Sequence, residues 1–447
     1  MKKVLLFMAA AVMSVSITFA QADDKAAKKA AKEAAKALKA EIKAANKILK
    51  EAQAILAMPE GGNLNEANIL IQEAMNNKHT KNNPDTWNAA GQIQKRFYDM
   101  ENERLYLRKL ENPEATLENP DLFYGSLSKM YDYFIKCDEL EQKPDEKGRV
   151  IVKYRPANKE QLYVNRPNLL NGGIAYYNKG MYKEAHDLFS QYIYVADTPI
   201  LEEYNITAET DTFMTDIAAY YSVLAGMQKE DYKLALTHID LAKKASTPEM
   251  KANIVRYEAT SYLNLGDTLK WIDLLKAGME QYPEDQYYYS NLISYYSNNN
   301  QYDELMSIAD DMLKKNPLPI FRFVKGYIYQ NNEDYDNAIA EYKKAIEQDP
   351  TYAGAYQNLG ICYTNLAQKE SDASTNFKPR SKELKASQEK VKGYYREALP
   401  FFEKLRDLDD GTDPDKKAAW TTGLYTCYYM LNMGPEFEEM EKIINAQ

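Results

Sequence analysis

IFRFVKGYIYQNNEDYDNAIAEYKKAIEQDP, residues 320–350, sets Gly326, Tyr329, Ala338, Tyr342, Ala345 and Pro350 at intervals of 3, 9, 4, 3 and 5. Small residues at such positions let two helices touch while aromatic rings wedge between them, so the stretch predicts a helix-turn-helix unit. The same phase carries outward. Tyr356, Leu359, Gly360 and Tyr363 open the following unit, and Tyr289, Leu292, Tyr296, Leu305 and Pro317 hold the preceding one. Ala259, Tyr262, Gly266, Leu275 and Pro283 form the unit before that, and the closing prolines Pro283, Pro317 and Pro350 keep a nearly constant spacing. Leu169, Gly173, Tyr176, Gly180, Ala185 and Phe189 make another copy. The copy built on Ala218, Tyr221, Ala235, Ile239 and Ala242 has a stretched first helix or turn and a loose register.

These positions resemble the tetratricopeptide repeat, strongly from about 165 to 365 and partially elsewhere. The resemblance implies an all-α fold, an α-α superhelix or TPR solenoid, in which each unit covers the apolar flank of the next. An irregular helical bundle is the alternative. Ala67, Ile71 and Ala74 read as a second helix, and Trp87, Ala90 and Gly91 as the start of the following first helix. At the other end Trp420 and Cys427 suggest a last first-helix, and the charged 435–446 helix carrying Phe437, Met440 and Ile444 closes the stack with a polar cap.

The remaining organisation follows from where this phase fails. Residues 1–22 form a signal peptide, 23–58 an Ala/Lys-rich amphipathic helix and 59–141 divergent helical repeats. Residues 142–166, with Pro144, Gly148 and Pro156, read as an irregular excursion in which Arg149 to Tyr154 alternates like a short strand. The regular array occupies 167–368. A small residue due at 372 appears as Ala398, before Phe402, so 369–397 reads as an inserted loop and helix, and 398–447 as the C-terminal repeat and capping helix. Both non-repeat insertions suit either a partner or simple bracing.

The N-terminus opens on Lys2 and Lys3, continues through an apolar run from Val4 to Met13 and reaches small residues at Ala20 and Ala22, the layout of a secretory signal. Cleavage after Ala20 or Ala22 is expected, giving an exported, periplasmic or extracellular, soluble chain. No cysteine precedes Cys137, so a lipoprotein is not expected. Between 25 and 50, Lys25, Lys29, Lys32, Lys36, Lys39, Lys43, Lys47 and Lys50 fall on one helical face, with Leu38, Ile42, Ala45, Leu49 and Leu56 roughly opposite. Such a stripe fits an anionic membrane surface or an acidic partner, and equally a solvated face whose other side packs on the next element.

Where the phase is secure, the resemblance assigns a concave groove lined by the first helices. It places Asn171, Tyr177 and Asn178 there, with Asn264, then Tyr287, Asn291 and Asn298, then Phe323, Tyr327 and Asn331, then Gln357, Asn358 and Asn365. Asn178, Asn264, Asn298, Asn331 and Asn365 share one slot near the helix end, and Asn171, Asn291 and Asn358 share another. Each amide offers two donors and an acceptor, suited to the main chain of an extended peptide. The plainer reading of the first slot is that Asn tolerates the left-handed geometry that stops a helix. Tyrosine is abundant, 37 against 13 Phe. Tyr176, Tyr262, Tyr296, Tyr329 and Tyr363 occupy a packing slot, whereas Tyr177, Tyr287 and Tyr327 fall at groove slots where a ring can stack on peptide or sugar.

Composition narrows the function. A net charge of −10 argues against nucleic acid, whose phosphates demand a basic surface. Three cysteines (Cys137, Cys362 and Cys427) without a C-x-x-C, and three scattered histidines, give little support to zinc or redox chemistry. H-E-x-x-H, G-x-S-x-G and G-x-x-x-x-G-K-[ST] do not occur. The acidic run Asp407, Asp409, Asp410, Asp413 and Asp415 lacks the EF-hand order and reads as a solvated turn and cap. The expectation is a non-enzymatic adaptor, needing no cofactor, that binds protein or peptide segments; small molecules and nucleic acid are not expected. A glycan binder, motivated by the tyrosines and by resemblance to starch-utilisation outer-membrane lipoproteins, and an envelope-assembly accessory protein are the rivals.

Overall fold

The computed structural model describes residues 24–58, 62–145, 147–206, 210–245, 247–412 and 414–445; the expected signal peptide at 1–22 lies outside the described residues. Among the described residues the regular structure is helical throughout, with no strand. The chain divides into two compact units, Met1–Leu265 and Gly266–Gln447. The expected array at 167–368 is therefore shared between them.

In the first unit α1 (Asp24–Leu56) and α2 (Leu64–Asn76) precede a long hairpin of α3 (Pro84–Glu111) and α4 (Pro120–Glu141). Next come α5 (Arg155–Asn178) with α6 (Tyr182–Ala196), then α7 (Thr212–Gln228), two single turns α8 (Tyr232–Ala235) and α9 (Ile239–Ala242), and α10 (Pro248–Asn264). The second unit runs α11 (Thr268–Gln281), α12 (Gln286–Asn298), α13 (Tyr302–Lys315), α14 (Pro319–Asn331), α15 (Tyr335–Gln348), α16 (Ala353–Ala373), α17 (Lys382–Asp407), α18 (Pro414–Leu431) and α19 (Gly434–Asn445). Helix starts are written in the sequence. Asn83, Asp231, Asp285, Asp334 and Ser381 each accept a first-turn N–H, and Pro84, Pro120, Pro248 and Pro319 occupy first-turn positions where a missing N–H costs nothing.

The hairpin turns share one geometry. Three residues separate α5 from α6, α7 from α8, α12 from α13 and α14 from α15. The middle one sits at positive φ each time: Gly180 (74°), Glu230 (57°), Asn300 (55°) and Glu333 (56°). The third residue then donates back to the helix, as Met181 N to Tyr176 O (3.0 Å), Gln301 N to Tyr296 O (2.8 Å) and Asp334 N to Tyr329 O (2.9 Å). The left-handed residue thus falls two positions after the recurrent asparagine, which corrects the view that this asparagine supplies that conformation.

A second contact joins the two helices of a hairpin. A Cβ placed on Gly173 would lie 2.4 Å from the Phe189 ring, and one on Gly326 would lie 2.6 Å from the Tyr342 ring, with the same sequence separation in both pairs. The two oversized hairpins keep this contact across a much longer stretch of chain: a Cβ on Gly91 would lie 2.3 Å from the Phe134 ring, and one on Gly360 2.6 Å from the Phe402 ring. In the α12–α13 hairpin the sizes are exchanged, with Ile293 and Ala309 facing the same small gap. Tyr342, Phe189 and Phe134 are completely buried, each contributing about 2–3 kcal/mol of apolar burial.

Three expectations need correction. The irregular excursion ends at Tyr154, not 166, because Pro156 is accommodated in the first turn of α5 and the helix runs on through Pro167. Arg149 to Tyr154 forms no strand. The insertion at 369–397 is, as expected, a loop at 374–381 leading into the long helix α17, which carries Ala398, and it also lengthens the end of α16. In the copy containing Ala218 and Tyr221, the second helix is broken into α8 and α9, and the small residue at the helix contact is Gly226, whose Cβ would fall 2.3 Å from the Ala235 backbone.

The lysine helix is half packed. Leu49 and Ala52 bury against Ala67, Ile71, Ala89 and Ala90, and Ala45 is buried as well. From 31 to 44 nothing is buried; Lys32, Lys36, Lys39 and Lys43 are exposed, and Ile42 opposite them is 39% exposed. No described helix is long and apolar enough to cross a membrane.

The glycine and turn geometry predicts opposite outcomes for two substitutions. Gly326→Ala destabilises by about 1–3 kcal/mol through overpacking against Tyr342, whereas Glu333→Gly stabilises by about 1 kcal/mol by relieving the left-handed residue. Urea unfolding followed by circular dichroism reads both, and G326A at wild-type stability contradicts the packing described.

Candidate functional site

In the second unit the first helices of successive hairpins, α14 and α16, touch one another. Gly354 stands beside Phe323 here: a Cβ at its position would lie in ordinary van der Waals contact, 3.4 Å from the Phe323 ring. One helical turn on from these two residues stand Tyr327 on α14, and Gln357 and Asn358 on α16, so all five share a surface. Phe323 itself is half-buried, 5.6 Å from Tyr342 and 5.4 Å from Tyr352 between ring centroids. Burial pushes the Tyr342 and Tyr352 hydroxyls well above the usual range, so both stay protonated. Gln357 and Asn358 are half-buried and their side chains make no hydrogen bond to a described residue, leaving both amides free to pair with a ligand.

The other amides are partly engaged by their own helices. Asn264 donates to Thr260 O (2.8 Å), Asn291 to Tyr287 O (2.7 Å) and Asn331 to Tyr327 O (2.8 Å), each four residues back. This leaves the amide oxygen and one N–H on each for another partner. Asn365 hydrogen-bonds Tyr335. Asn298 is exposed at the end of α12, and Tyr287 packs against Tyr288 at 5.3 Å.

In the first unit Asn178 is exposed, and Asn171 donates to Asn168 (3.2 Å), which donates in turn to Tyr98 (2.7 Å). Tyr177 lies between Tyr182 and Tyr221 at 5.4 and 5.5 Å, and burial raises its hydroxyl pKa. Its ring is therefore a packing element as well as a groove candidate. Asn264 also belongs to this unit, so the thirteen candidates fall on two separate bodies.

The structure also assembles groups that no motif announced. His186 and His238 come from distant parts of the chain, yet their rings stack at 5.9 Å with Ser190 between them, 2.8 Å from His238 Nε2 and 3.3 Å from His186 Nδ1. Burial, and then the charge of His186, lower the His238 pKa to about 4. Arg166 is buried; it reaches Asp211 (2.6 Å) and the Tyr192 carbonyl (3.1 Å) and lies 3.7 Å over the Tyr192 ring, fastening the connection between α6 and α7. A cleft of about 540 Å3 opens between Asn63 at the start of α2 and Arg96, Phe97 and Glu103 of α3. Among the described residues no three metal-ligating side chains converge, and the Asp409–Gly411 turn is closed by its own backbone and by Trp420 Nε1 (2.7 Å). Cys137, Cys362 and Cys427 are free and buried, which pushes their thiols up to about 12.

Residues 326–366 match the family model described as TPR repeat. Among solved structures, a TPR repeats protein from Bacteroides fragilis is 16% identical, the match covering 58% of this chain and 97% of that one at a TM-score of 0.31. The C-terminal part of a TPR repeat-containing protein from Cytophaga hutchinsonii is 14% identical over 61% of this chain and 98% of that one, with a TM-score of 0.31. The TPR2AB domain of yeast Sti1, in complex with pHSP90, is 13% identical over 74% and 99%, with a TM-score of 0.24.

The histidine pair gives the first unit a pH signature. Because the His238 pKa is lowered on folding, the unfolded chain takes up the proton first, and stability is lost as pH falls from about 6.5 towards 4. By pH 5 this pair removes about 1–2 kcal/mol relative to pH 7.5, once solvent screening at the half-buried ring is allowed for. His238→Gln flattens that part of the slope in urea unfolding; an unchanged slope contradicts the assignment.

Proposed function

We propose that this chain, a tetratricopeptide-repeat protein whose clearest repeat spans residues 326–366, is a non-catalytic scaffold that holds an extended protein segment along α14 and α16. Repeats of this family serve generally as protein-interaction scaffolds. The observation that carries the reading is the half-buried, unpartnered amide pair Gln357 and Asn358 beside Phe323 and Tyr327. Amides so placed pair with a main chain whatever its side chains, and the neighbouring rings supply apolar contact. Asn291 and Asn331 extend the row with their remaining donor and acceptor. An unfolded carboxymethylated polypeptide titrated into the full chain binds, and replacing both Gln357 and Asn358 by Ala weakens binding about tenfold. Heat from a malto-oligosaccharide with none from the polypeptide reverses the choice in favour of the glycan reading.

A second reading concerns where the scaffold works. Residues 1–22 have the layout of an export signal, and the exposed lysines of the unpacked half of α1 suit an anionic membrane surface. Protein recovered from cells then begins after Ala20 or Ala22 and floats with phosphatidylglycerol vesicles, while a chain lacking 23–50 does not. A retained Met1, or unchanged flotation without the stripe, contradicts it.

A further inference from the structure

Between α4 and α5 the chain carries a device that the groove reading does not use and shares no residue with. Its downstream end is fixed by three carboxylates. Glu141, buried at the last turn of α4, accepts the backbone N–H of Lys153 (2.8 Å), Tyr154 (2.8 Å) and Arg155 (3.2 Å). The buried Asp138 takes the Arg155 guanidinium through two bonds of 2.6 and 2.7 Å. Asp85, on α3, receives the Tyr154 hydroxyl at 2.5 Å and Lys153 Nζ at 3.3 Å. The upstream end is fixed by Asp145, whose carboxylate accepts the N–H of Lys147 (2.7 Å) and Arg149 (2.9 Å) and pairs with the Arg149 guanidinium at 3.0 and 2.8 Å. The Asp145 N–H donates to the Arg149 carbonyl at 2.8 Å.

Held between these two clamps are three apolar residues that stay largely open to solvent: Val150, Ile151 and Val152 are 51%, 57% and 42% exposed. Their N–H and C=O groups make no hydrogen bond to a described residue. Three consecutive exposed β-branched residues with an unpaired main chain are what a protein normally hides, because they form a template for strand pairing. Here two buried carboxylates and two surface ones hold that template in place instead.

We propose that Arg149–Lys153 is a preset edge to which an extended segment of another protein adds as a strand, and that the segment carries β-branched residues between acidic ones. Main-chain bonds supply affinity in this mode and the side chains supply choice. The cations at both ends make the choice: Arg149 and Lys153, although each is paired on one side with Asp145 or Asp85, keep side chains 61% exposed and can take a second carboxylate. A second copy pairing antiparallel about Ile151 brings Arg149 opposite Lys153 twice, and a parallel register sets each cation beside its like. A segment ending in Asp or Glu on either side of two or three β-branched residues meets opposite charge at both ends.

The test uses the full chain and a labelled, end-capped Asp-Val-Thr-Val-Glu peptide followed by fluorescence anisotropy. The peptide binds, and Ile151→Pro, which removes an N–H at an exposed site, weakens it at least ~10-fold, while Ile151→Thr, which keeps the N–H and the β-branch, stays within ~3-fold. Circular dichroism melting confirms that both variants fold. Replacing both Gln357 and Asn358 by Ala leaves this binding unchanged, which separates its failure from failure of the groove reading. Four results overturn the proposal: no binding, equal binding of the Lys-Val-Thr-Val-Lys peptide, equal binding of an N-methylated peptide that cannot donate, or I151P at wild-type affinity. A concentration-dependent dimer that I151P abolishes in sedimentation assigns the edge to a second copy and overturns the acidic-segment claim.

Discussion

The hairpins depend on a meeting between a residue that has no side chain and a buried ring. Gly173 against Phe189 and Gly326 against Tyr342 bring two backbones closer than any Cβ permits, and the ring fills the space on either side. Because the ring is fully buried only when the helix carrying it lies against that glycine, the contact fixes both the separation of the pair and its rotation. The faces left over are then determined. On α14 and α16 the residues one turn beyond Phe323 and Gly354 are the ones that reach solvent, and these are Tyr327, Gln357 and Asn358.

The same constraint tolerates large changes elsewhere. In the two long hairpins the glycine and its ring stand much further apart in sequence, and the added chain extends both helices beyond the contact without altering it. Growth in that direction leaves new ends without neighbours, and those ends must be fastened by polar means. Glu370 at the far part of α16 does so, taking Lys390 of α17 at 2.7 Å, while at the opposite end of the α3–α4 hairpin Glu141, Asp138 and Asp85 fasten the chain that follows α4. Buried carboxylates that accept several N–H groups are strong anchors but poor sources of net stability. Their presence where the chain packs least indicates that position, more than stability, is what they secure.

How much of this was legible in the sequence depends on the range of the interaction. The repeat phase read from Gly326, Tyr329 and Ala338 identified the helical pairs, because a contact repeated at a fixed spacing leaves a periodic trace. The turns were legible only in part: Gly180 announces a left-handed residue, but Glu230 and Glu333 adopt the same φ with no compositional signal, held there by the hydrogen bond that closes the helix. The limits of the excursion were misjudged because Pro156 and Pro167 suggested a break, whereas one occupies a first turn and the other is carried within α5. Among candidate site residues, the repeat resemblance put Phe323, Tyr327, Gln357 and Asn358 on one groove, yet it could not tell that Asn264, Asn291 and Asn331 bond back to their own helices, nor that Tyr177 packs between two other tyrosines. His186 with His238, and Arg166 with Asp211, are single non-repeated meetings of distant residues, and such pairs leave no pattern to read.

The most direct measurement is a double-mutant cycle between the glycine and its ring. Gly326→Ala, Tyr342→Leu and the double variant are unfolded in urea alongside wild type. If the close approach governs the hairpin, the shorter side chain makes room for the added methyl, and the two substitutions couple by at least ~1 kcal/mol in the rescuing sense. Strict additivity would mean that the ring does not confront the glycine, and the surface on α14 and α16 derived from that contact would have no foundation.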